Sequence, residues 1–177
     1  MKTKICSLII ICLIGFLTHS CEEEEYYAKQ LTLTGQLISN STCKNDFKAA
    51  VENPIPPDTL SCIDYSFNSL SNKLIIKHIN AGFNCCPEKL YCEVSLNNDT
   101  IIIQEFEKSA LCFCNCLYDL DIEVTGVTTI KYQLKFVEPY CGEQEKLIFE
   151  IDLNKEKEGL FCVVRKQYPW GIYSINY

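Results

Sequence analysis

Cysteine is the residue type that offers most chemistry in this sequence, with 13 cysteines among 177 residues. Six of them form two groups within short stretches of chain: Cys85, Cys86 and Cys92, then Cys112, Cys114 and Cys116. Closely spaced thiols can form disulfides, bind soft metal ions or exchange electrons with other thiols. Which of these applies depends on the compartment of the protein and on the strands that position the sulfur atoms.

The N-terminus predicts export. A basic start at residues 1–4 is followed by an apolar stretch at residues 5–17, which is too short to span a bilayer as a helix. We therefore predict a signal peptide over residues 1–20. The bond before Cys21 suits cleavage before a lipidated cysteine, and we interpret Cys21 as the lipid attachment site and residues 21–29 as an acidic tether. A plain secreted protein is the alternative.

Export favours disulfides. Cys6 and Cys12 leave with the signal peptide, and lipidation of Cys21 leaves an even number of cysteines, as a disulfide framework requires. These ten are Cys43, Cys62, Cys85, Cys86, Cys92, Cys112, Cys114, Cys116, Cys141 and Cys162. We expect three bonds between the two groups, plus Cys43–Cys62 and Cys141–Cys162.

The alternative for the two cysteine groups is a thiol protein that handles metal or redox chemistry. Cys-x-Cys-x-Cys on an extended strand is a poor zinc motif, because structural zinc ligands usually stand two to four residues apart. Oxidation outside the cytoplasm also competes with metal loading. We therefore expect no metal and no cofactor.

Apolar and polar residues alternate along most of the chain after residue 30, which is typical of strands with one buried face. The longest alternation, Cys112 to Val124, predicts one long strand with its three cysteines on the buried face. Asn97-Asn98-Asp99 predicts a hairpin turn. We predict a single all-β domain over residues 30–177: a disulfide-rich antiparallel sandwich, immunoglobulin-like in general architecture, with little helix. Tyr132 is a candidate for a tyrosine corner, a hydrogen bond back into the preceding loop.

Other candidate sites are weaker. Asp119, Asp121 and Glu123 could bind calcium, but we expect Lys131 and Lys135 to neutralise them from a neighbouring strand. His78 is the single histidine after the signal peptide, so any serine or cysteine nucleophile would depend on it. A lone histidine in a strand is usually a packed or rim residue, and we expect no enzyme.

An aromatic group near the C-terminus could serve binding. Tyr168, Trp170 and Tyr173 would suit a protein or glycan partner if exposed, although a role for Trp170 in capping the core is the alternative. The net charge of −7 argues against nucleic acid as a partner.

Three stretches carry a resemblance: Asn84-Cys85-Cys86-Pro87, the stretch from Cys112 to Asp121, and Tyr168-Pro169-Trp170. Together they resemble a group of uncharacterised cysteine-rich lipoproteins of Gram-negative bacteria, over most of residues 60–172. The resemblance implies an outer-membrane or surface lipoprotein, with no activity to transfer. The expected function is a lipid-anchored envelope protein that acts as a non-enzymatic binding or structural module.

Overall fold

The computed structural model describes residues 32–44, 56–110 and 112–167, all of which belong to one compact unit. These residues form an all-β fold, as predicted, and contain no helix. The strands are β1 Thr34–Asn40, β2 Leu60–Asn68, β3 Lys73–Asn84, β4 Pro87–Asn97, β5 Thr100–Ala110, β6 Asn115–Thr125, β7 Lys131–Val137, β8 Ile148–Asp152 and β9 Glu158–Val164. Within the described ranges, no helix has the length and apolarity needed to cross a lipid bilayer.

The strands form two sheets that enclose a common core. One sheet has the order β1-β6-β3-β2-β9, and the other has the order β4-β5-β7-β8. All neighbouring strands are antiparallel except β5 and β7, which run parallel. The protein is therefore a β-sandwich as predicted, with one parallel pair that the sequence did not indicate. The sheets approach closely where Gly35 lies against Val94. A Cβ at Gly35 would fall only 2.8 Å from the Cβ of Val94, so this position requires glycine.

Strand β6 supplies much of the core. Its inward residues Cys116, Tyr118, Leu120, Ile122 and Val124 are all buried, which confirms the alternation from Cys116 onward except at Leu117, which is buried as well. Burying one large apolar side chain stabilises the fold by roughly 1.5–3 kcal/mol.

The prediction that this strand starts at Cys112 was wrong. Strand β6 begins only at Asn115, so Cys112 and Cys114 lie in the connection before it. Cys112 is half-buried and Cys114 is exposed, so only Cys116 shares the buried face. Alternation alone could not show that the connection, rather than the strand, holds the first two cysteines.

The predicted hairpin is confirmed. Asn97 pairs with Thr100 across a two-residue turn, and Asn98 adopts a φ of 52°. Asparagine tolerates this left-handed conformation better than most residues, which is why the sequence marks the turn.

Strand β3 extends past a bulge. Residues 80–84 continue the strand after a bulge at Asn80, which has a φ of 62°. The Asn80 amide nitrogen donates to the carbonyl oxygen of Leu60 at 2.7 Å, so a side-chain contact holds the bulge. The extension carries the chain to Cys85 and Cys86.

Strand β7 does not pair with β6 as expected. It lies in the other sheet, between β5 and β8. Lys131 therefore pairs with Glu150 at 2.6 Å, and not with the acidic row of β6, which consists of Asp119, Asp121 and Glu123. The acidic row is met by other residues: Lys44 pairs with Asp119, and Lys73 pairs with Glu123 at 2.9 Å. Periodicity identifies the buried face of a strand but not its neighbour, which explains the error.

Tyr132 closes the loop that precedes it. Its hydroxyl oxygen lies 2.8 Å from Thr128 Oγ1 and accepts the backbone N–H of Thr128 at 3.2 Å. This is the contact expected of a tyrosine corner.

Candidate functional site

Four cysteines meet at one end of the first sheet, and we call them the cysteine cluster: Cys85, Cys86, Cys112 and Cys114. The register of β3 on β6 places Asn84 opposite Asn115. Because antiparallel chains advance in opposite directions, Cys85 falls opposite Cys114, and Cys86 falls beside Cys112. The disulfides Cys85–Cys114 and Cys86–Cys112 join these neighbours.

Hydrogen bonds hold the two chain segments of the cluster together independently of the sulfur bonds. The Asn84 side chain accepts the Cys86 N–H at 2.9 Å and donates to the Cys112 carbonyl oxygen at 2.5 Å. The Cys85 N–H donates to the Cys114 carbonyl oxygen at 3.0 Å. The buried hydroxyl of Tyr118 donates to the carbonyl oxygens of Asn84 and Cys85. The backbone around the sulfur atoms is therefore preorganised.

The cysteine cluster faces solvent. Cys86 and Cys114 are exposed, and Phe113 between the two cysteines of the second segment is fully exposed. The sulfur atoms of Cys86, Cys112 and Cys114 all lie within 4.8 Å of one another. Three soft donors at this spacing are compatible with thiol exchange when oxidised and with metal binding when reduced.

The other two disulfides lie deeper. Cys43 bonds Cys116, and Cys62 bonds Cys162, which stands directly opposite it on β9. Cys62 and Cys116 are completely buried. The expected pairs Cys43–Cys62 and Cys141–Cys162 are both absent, because these bonds follow strand neighbours in space and not distance along the chain.

Cys92 and Cys141 are free thiols, contrary to the expectation that all ten cysteines pair. Cys116 bonds Cys43 and so lies outside the cysteine cluster. Of the three bonds predicted between the two cysteine groups, two are present, Cys85–Cys114 and Cys86–Cys112. Burial raises the pKa of Cys92 to about 12, and the nearby Glu105 carboxylate adds to the shift. Burial and then Glu138 also raise the pKa of Cys141, against the opposing charge of Arg165. Both thiols are therefore poor nucleophiles at neutral pH.

A second concentration of polar side chains lies between the sheets, and we call it the buried ionic cluster: Ser61, His78, Glu105, Glu138 and Arg165. Ser61 lies on β2, His78 on β3 and Glu105 on β5. Glu138 directly follows β7, and Arg165 directly follows β9. All five positions continue the inward alternation of their strands, so their side chains enter the core.

The contacts within the buried ionic cluster are short. His78 Nδ1 donates to Glu105 Oε1 at 2.6 Å, and His78 Nε2 lies 2.9 Å from Ser61 Oγ. Arg165 Nη2 donates to both carboxylate oxygens of Glu138, at 2.6 and 2.7 Å. His78 Nε2 also lies 3.9 Å from Glu138 Oε1, which links the two pairs.

The two carboxylates change the protonation of His78. Burial alone would lower the pKa of His78, but the charge and hydrogen bond of Glu105, with the charge of Glu138, raise it above its ordinary value. Burial also raises the pKa of Glu105, against the charge and hydrogen bond of His78. With His78 protonated, two cations face two carboxylates, so the cluster is neutral overall. Among the described residues, no donor reaches Glu105 Oε2, which adds to the cost of ionising this carboxyl.

The order hydroxyl, imidazole and carboxylate is that of a catalytic triad. Ser61 and His78, however, have 0% of their surface exposed. Phe136 covers the imidazole edge-on, with ring centroids 5.5 Å apart. The contacts of Ser61, His78 and Glu105 therefore form a buried hydrogen-bond network that joins both sheets. The expectation that His78 is a packed residue agrees with this position.

The sequence carries a signal for this cluster, although only His78 was among the predicted candidates. Glu105 takes the next inward-facing position of its strand after Ile101 and Ile103, and Ser61 takes the inward-facing position before Ile63. A charged residue in the buried phase of a strand calls for an opposite charge nearby. The alternation could have identified the members, although not which of them meet.

Several predicted site residues lie outside the described residues. These are the lipidation candidate Cys21 and the aromatic group Tyr168, Trp170 and Tyr173. The signal peptide and the tether fall there as well.

The fold and the cysteine cluster define the class of the protein as a disulfide-bonded β-sandwich. Comparison with protein-family models, with curated protein sequences and with solved structures gave no match.

Proposed function

We propose that this chain is an exported cell-envelope protein, anchored to a membrane by lipid on Cys21, whose sandwich is a non-enzymatic binding or structural module. The observation that carries the proposal is the set of four disulfides, because such bonds persist in oxidising compartments outside the cytoplasm. The internal use of His78 supports a non-enzymatic role, since its ring nitrogens already have partners in the core.

Membrane fractionation of the full-length chain tests the anchor. Cys21→Ala should move the protein from the membrane fraction to the soluble fraction, because the lipid would have no attachment point. Cys12→Ala is the matched control, since this cysteine leaves with the signal peptide, and its product should stay with the membrane. Retention of the Cys21→Ala protein in the membrane would reject the lipid anchor.

A thiol count tests the compartment. Protein taken from cells, alkylated at once and denatured without reductant should show two thiols, those of Cys92 and Cys141. Reduction should then release the thiols of the four disulfides. Extensive labelling before reduction would place the protein in a reducing compartment and reject export.

A second candidate function is metal binding by the reduced cysteine cluster. The supporting observation is that Cys86, Cys112 and Cys114 bring three sulfur atoms within 4.8 Å of one another. Thiolates favour soft metal ions, so copper(I) is the ion that we expect this cluster to bind. Reduced protein titrated with copper(I) should bind one ion, and Cys114→Ser should weaken binding while Cys162→Ser does not. Equal affinity in the two variants would reject this candidate.

A further inference from the structure

The disulfides differ in how far solvent can reach their sulfur atoms. In the cysteine cluster, each bond has one exposed partner, Cys86 in one and Cys114 in the other. Each of the remaining bonds has a completely buried partner, Cys62 or Cys116. A thiolate must approach a sulfur atom directly to open a disulfide, so access selects the bonds of the cluster.

The two bonds of the cluster also lie beside each other. Cys86 is bonded to Cys112, yet its sulfur atom is within 4.8 Å of the sulfur of Cys114, which is bonded to Cys85. Asn84 and Tyr118 hold the backbone of both segments through hydrogen bonds that do not involve sulfur. When one bond opens, its sulfur atoms therefore remain close to the other bond.

We infer that the cysteine cluster is a thiol–disulfide exchange site that reacts stoichiometrically with dithiols. The inference rests on the proposed function, because export is what oxidises the four cysteines. The site accepts two electrons from a dithiol, and the remaining disulfide then redistributes among the neighbouring sulfur atoms. The free thiols take no part, because Cys92 is half-buried beside Glu105 and Cys141 is buried beside Glu138, which disfavours both thiolates.

The steps balance without any further reactant. One thiolate of the dithiol attacks Sγ of Cys86, the bond to Cys112 breaks, and Cys112 leaves as a thiolate with the electron pair. The second thiolate of the substrate attacks its own sulfur in the mixed disulfide, so that Cys86 leaves as a thiolate and the substrate departs as a cyclic disulfide. Two electrons have passed from the dithiol to the protein, and solvent supplies the protons of the new thiols.

Redistribution then follows within the protein. The Cys86 thiolate attacks Sγ of Cys114, the bond Cys85–Cys114 breaks, and Cys85 leaves as a thiolate. One disulfide is made and one is broken, so no net electrons move. The product holds Cys86–Cys114, with thiols on Cys85 and Cys112.

Limited reduction of the full-length oxidised protein with dithiothreitol tests the site. After acid quenching and alkylation, peptide mapping should find the first new thiols on Cys85, Cys86 and Cys112. Their release should be at least about tenfold faster than opening of Cys43–Cys116 and Cys62–Cys162. Species with the bond Cys86–Cys114 should be present. Simultaneous opening of all four bonds, or early opening of a buried bond, would overturn the inference, as would Cys85–Cys114 remaining the single bond of the cluster.

A variant pair tests redistribution without added reductant. Cys112→Ser leaves a thiol on Cys86 beside Cys85–Cys114, and oxidised protein should contain Cys86–Cys114. The matched control Cys162→Ser leaves a thiol on Cys62, which should form no new bond. A population of Cys112→Ser that holds only Cys85–Cys114 would count against the exchange site.

The result is distinguishable from a failure of the proposed function. Thiols on the cysteines of the four disulfides, in protein that is alkylated directly in the cell, would reject export. Two thiols followed by uniform opening with dithiothreitol would reject the exchange site alone.

Discussion

The cysteine cluster and the buried ionic cluster place reactive residue types in opposite environments. At the outer end of the sheet, the sulfur atoms are bonded in pairs, Cys86 and Cys114 are exposed, and the sulfur atoms of Cys86, Cys112 and Cys114 lie close together. Next to the buried ionic cluster, half-buried Cys92 lies beside Glu105 and buried Cys141 lies beside Glu138, and burial together with these carboxylates raises the pKa of both free thiols. The comparison teaches that cysteine chemistry in this chain is set by access and by neighbouring charge, since the residue type is the same in both regions.

A similar contrast applies to charge. The ion pairs on the surface, such as Lys108 with Glu88, are exposed to water, whereas Arg165 and Glu138 are almost completely removed from it. A surface pair contributes little to stability, but a buried charge that loses its partner is costly.

The largest expected effect therefore comes from Arg165→Met. The substitution leaves Glu138 buried without its cation, and the free energy of unfolding should fall by about 3–5 kcal/mol. Urea unfolding measures the change. Lys108→Met removes a cation from an exposed pair and should leave the urea midpoint almost unchanged. A similar small effect for both variants would show that the buried pair is not stabilising.

The next prediction concerns thiol reactivity. Cys92 has a pKa of about 12 against an ordinary 9.0, so its thiolate fraction at pH 8 should be lower by about a thousandfold. Iodoacetamide should label Cys92 very slowly in the folded protein and rapidly in denaturant. The Cys112→Ser protein offers the comparison, because any thiol left in the cysteine cluster should label quickly without denaturant. Fast labelling of Cys92 in the native state would contradict its described environment.

A smaller effect should appear as a pH dependence of stability. The folded-state pKa of His78 is raised, so its contribution to stability is complete below its ordinary value of 6.5 and is lost as the pH rises through the folded pKa. The raised pKa of Glu105 acts in the same direction, over a window that opens above 4.5. Each proton contributes a slope of at most about 1.4 kcal/mol per pH unit.

Because removal of His78 alone would leave Glu105 to titrate, the double variant His78→Gln/Glu105→Gln is the informative one. Urea unfolding between pH 6.5 and about 8.5 should show falling stability in the wild type and a flatter profile in the variant. Lys77→Gln, an exposed neighbour on β3, should keep the wild-type slope. An unchanged slope in the double variant would assign the pH dependence to other groups.

The smallest expected effect tests the scaffold of the cysteine cluster. Asn84→Asp keeps an acceptor for the Cys86 N–H but loses the donor to the Cys112 carbonyl oxygen, at a cost of about 1 kcal/mol. Asn84→Ala loses both contacts and should cost more. Both variants should release the thiols of the cluster to dithiothreitol faster than the wild type, with Asn84→Ala the faster of the two. Identical rates in all three proteins would show that Asn84 does not position the sulfur atoms.

The sequence by itself determined the local elements. Alternation of apolar and polar residues fixed the buried faces of β2, β6 and β7, and the asparagine-rich turn fixed the β4–β5 hairpin, because both signals act over a few residues. Tyr132 could be assigned to its loop for the same reason, since its partner Thr128 is four residues away. The sequence predicted that the two cysteine groups bond to each other, but it could not assign the individual pairs of the cysteine cluster.

Tertiary structure alone decided which strands are neighbours. It placed β7 beside β5 and not β6, paired Cys62 with Cys162 across 100 positions, and left Cys92 and Cys141 free. It also gathered Ser61, His78, Glu105, Glu138 and Arg165 from five separate elements into one network. The physical reason is that periodicity reports only whether a side chain faces the core. The partner it meets there depends on strand order and register, which are set by the packing of the whole sandwich.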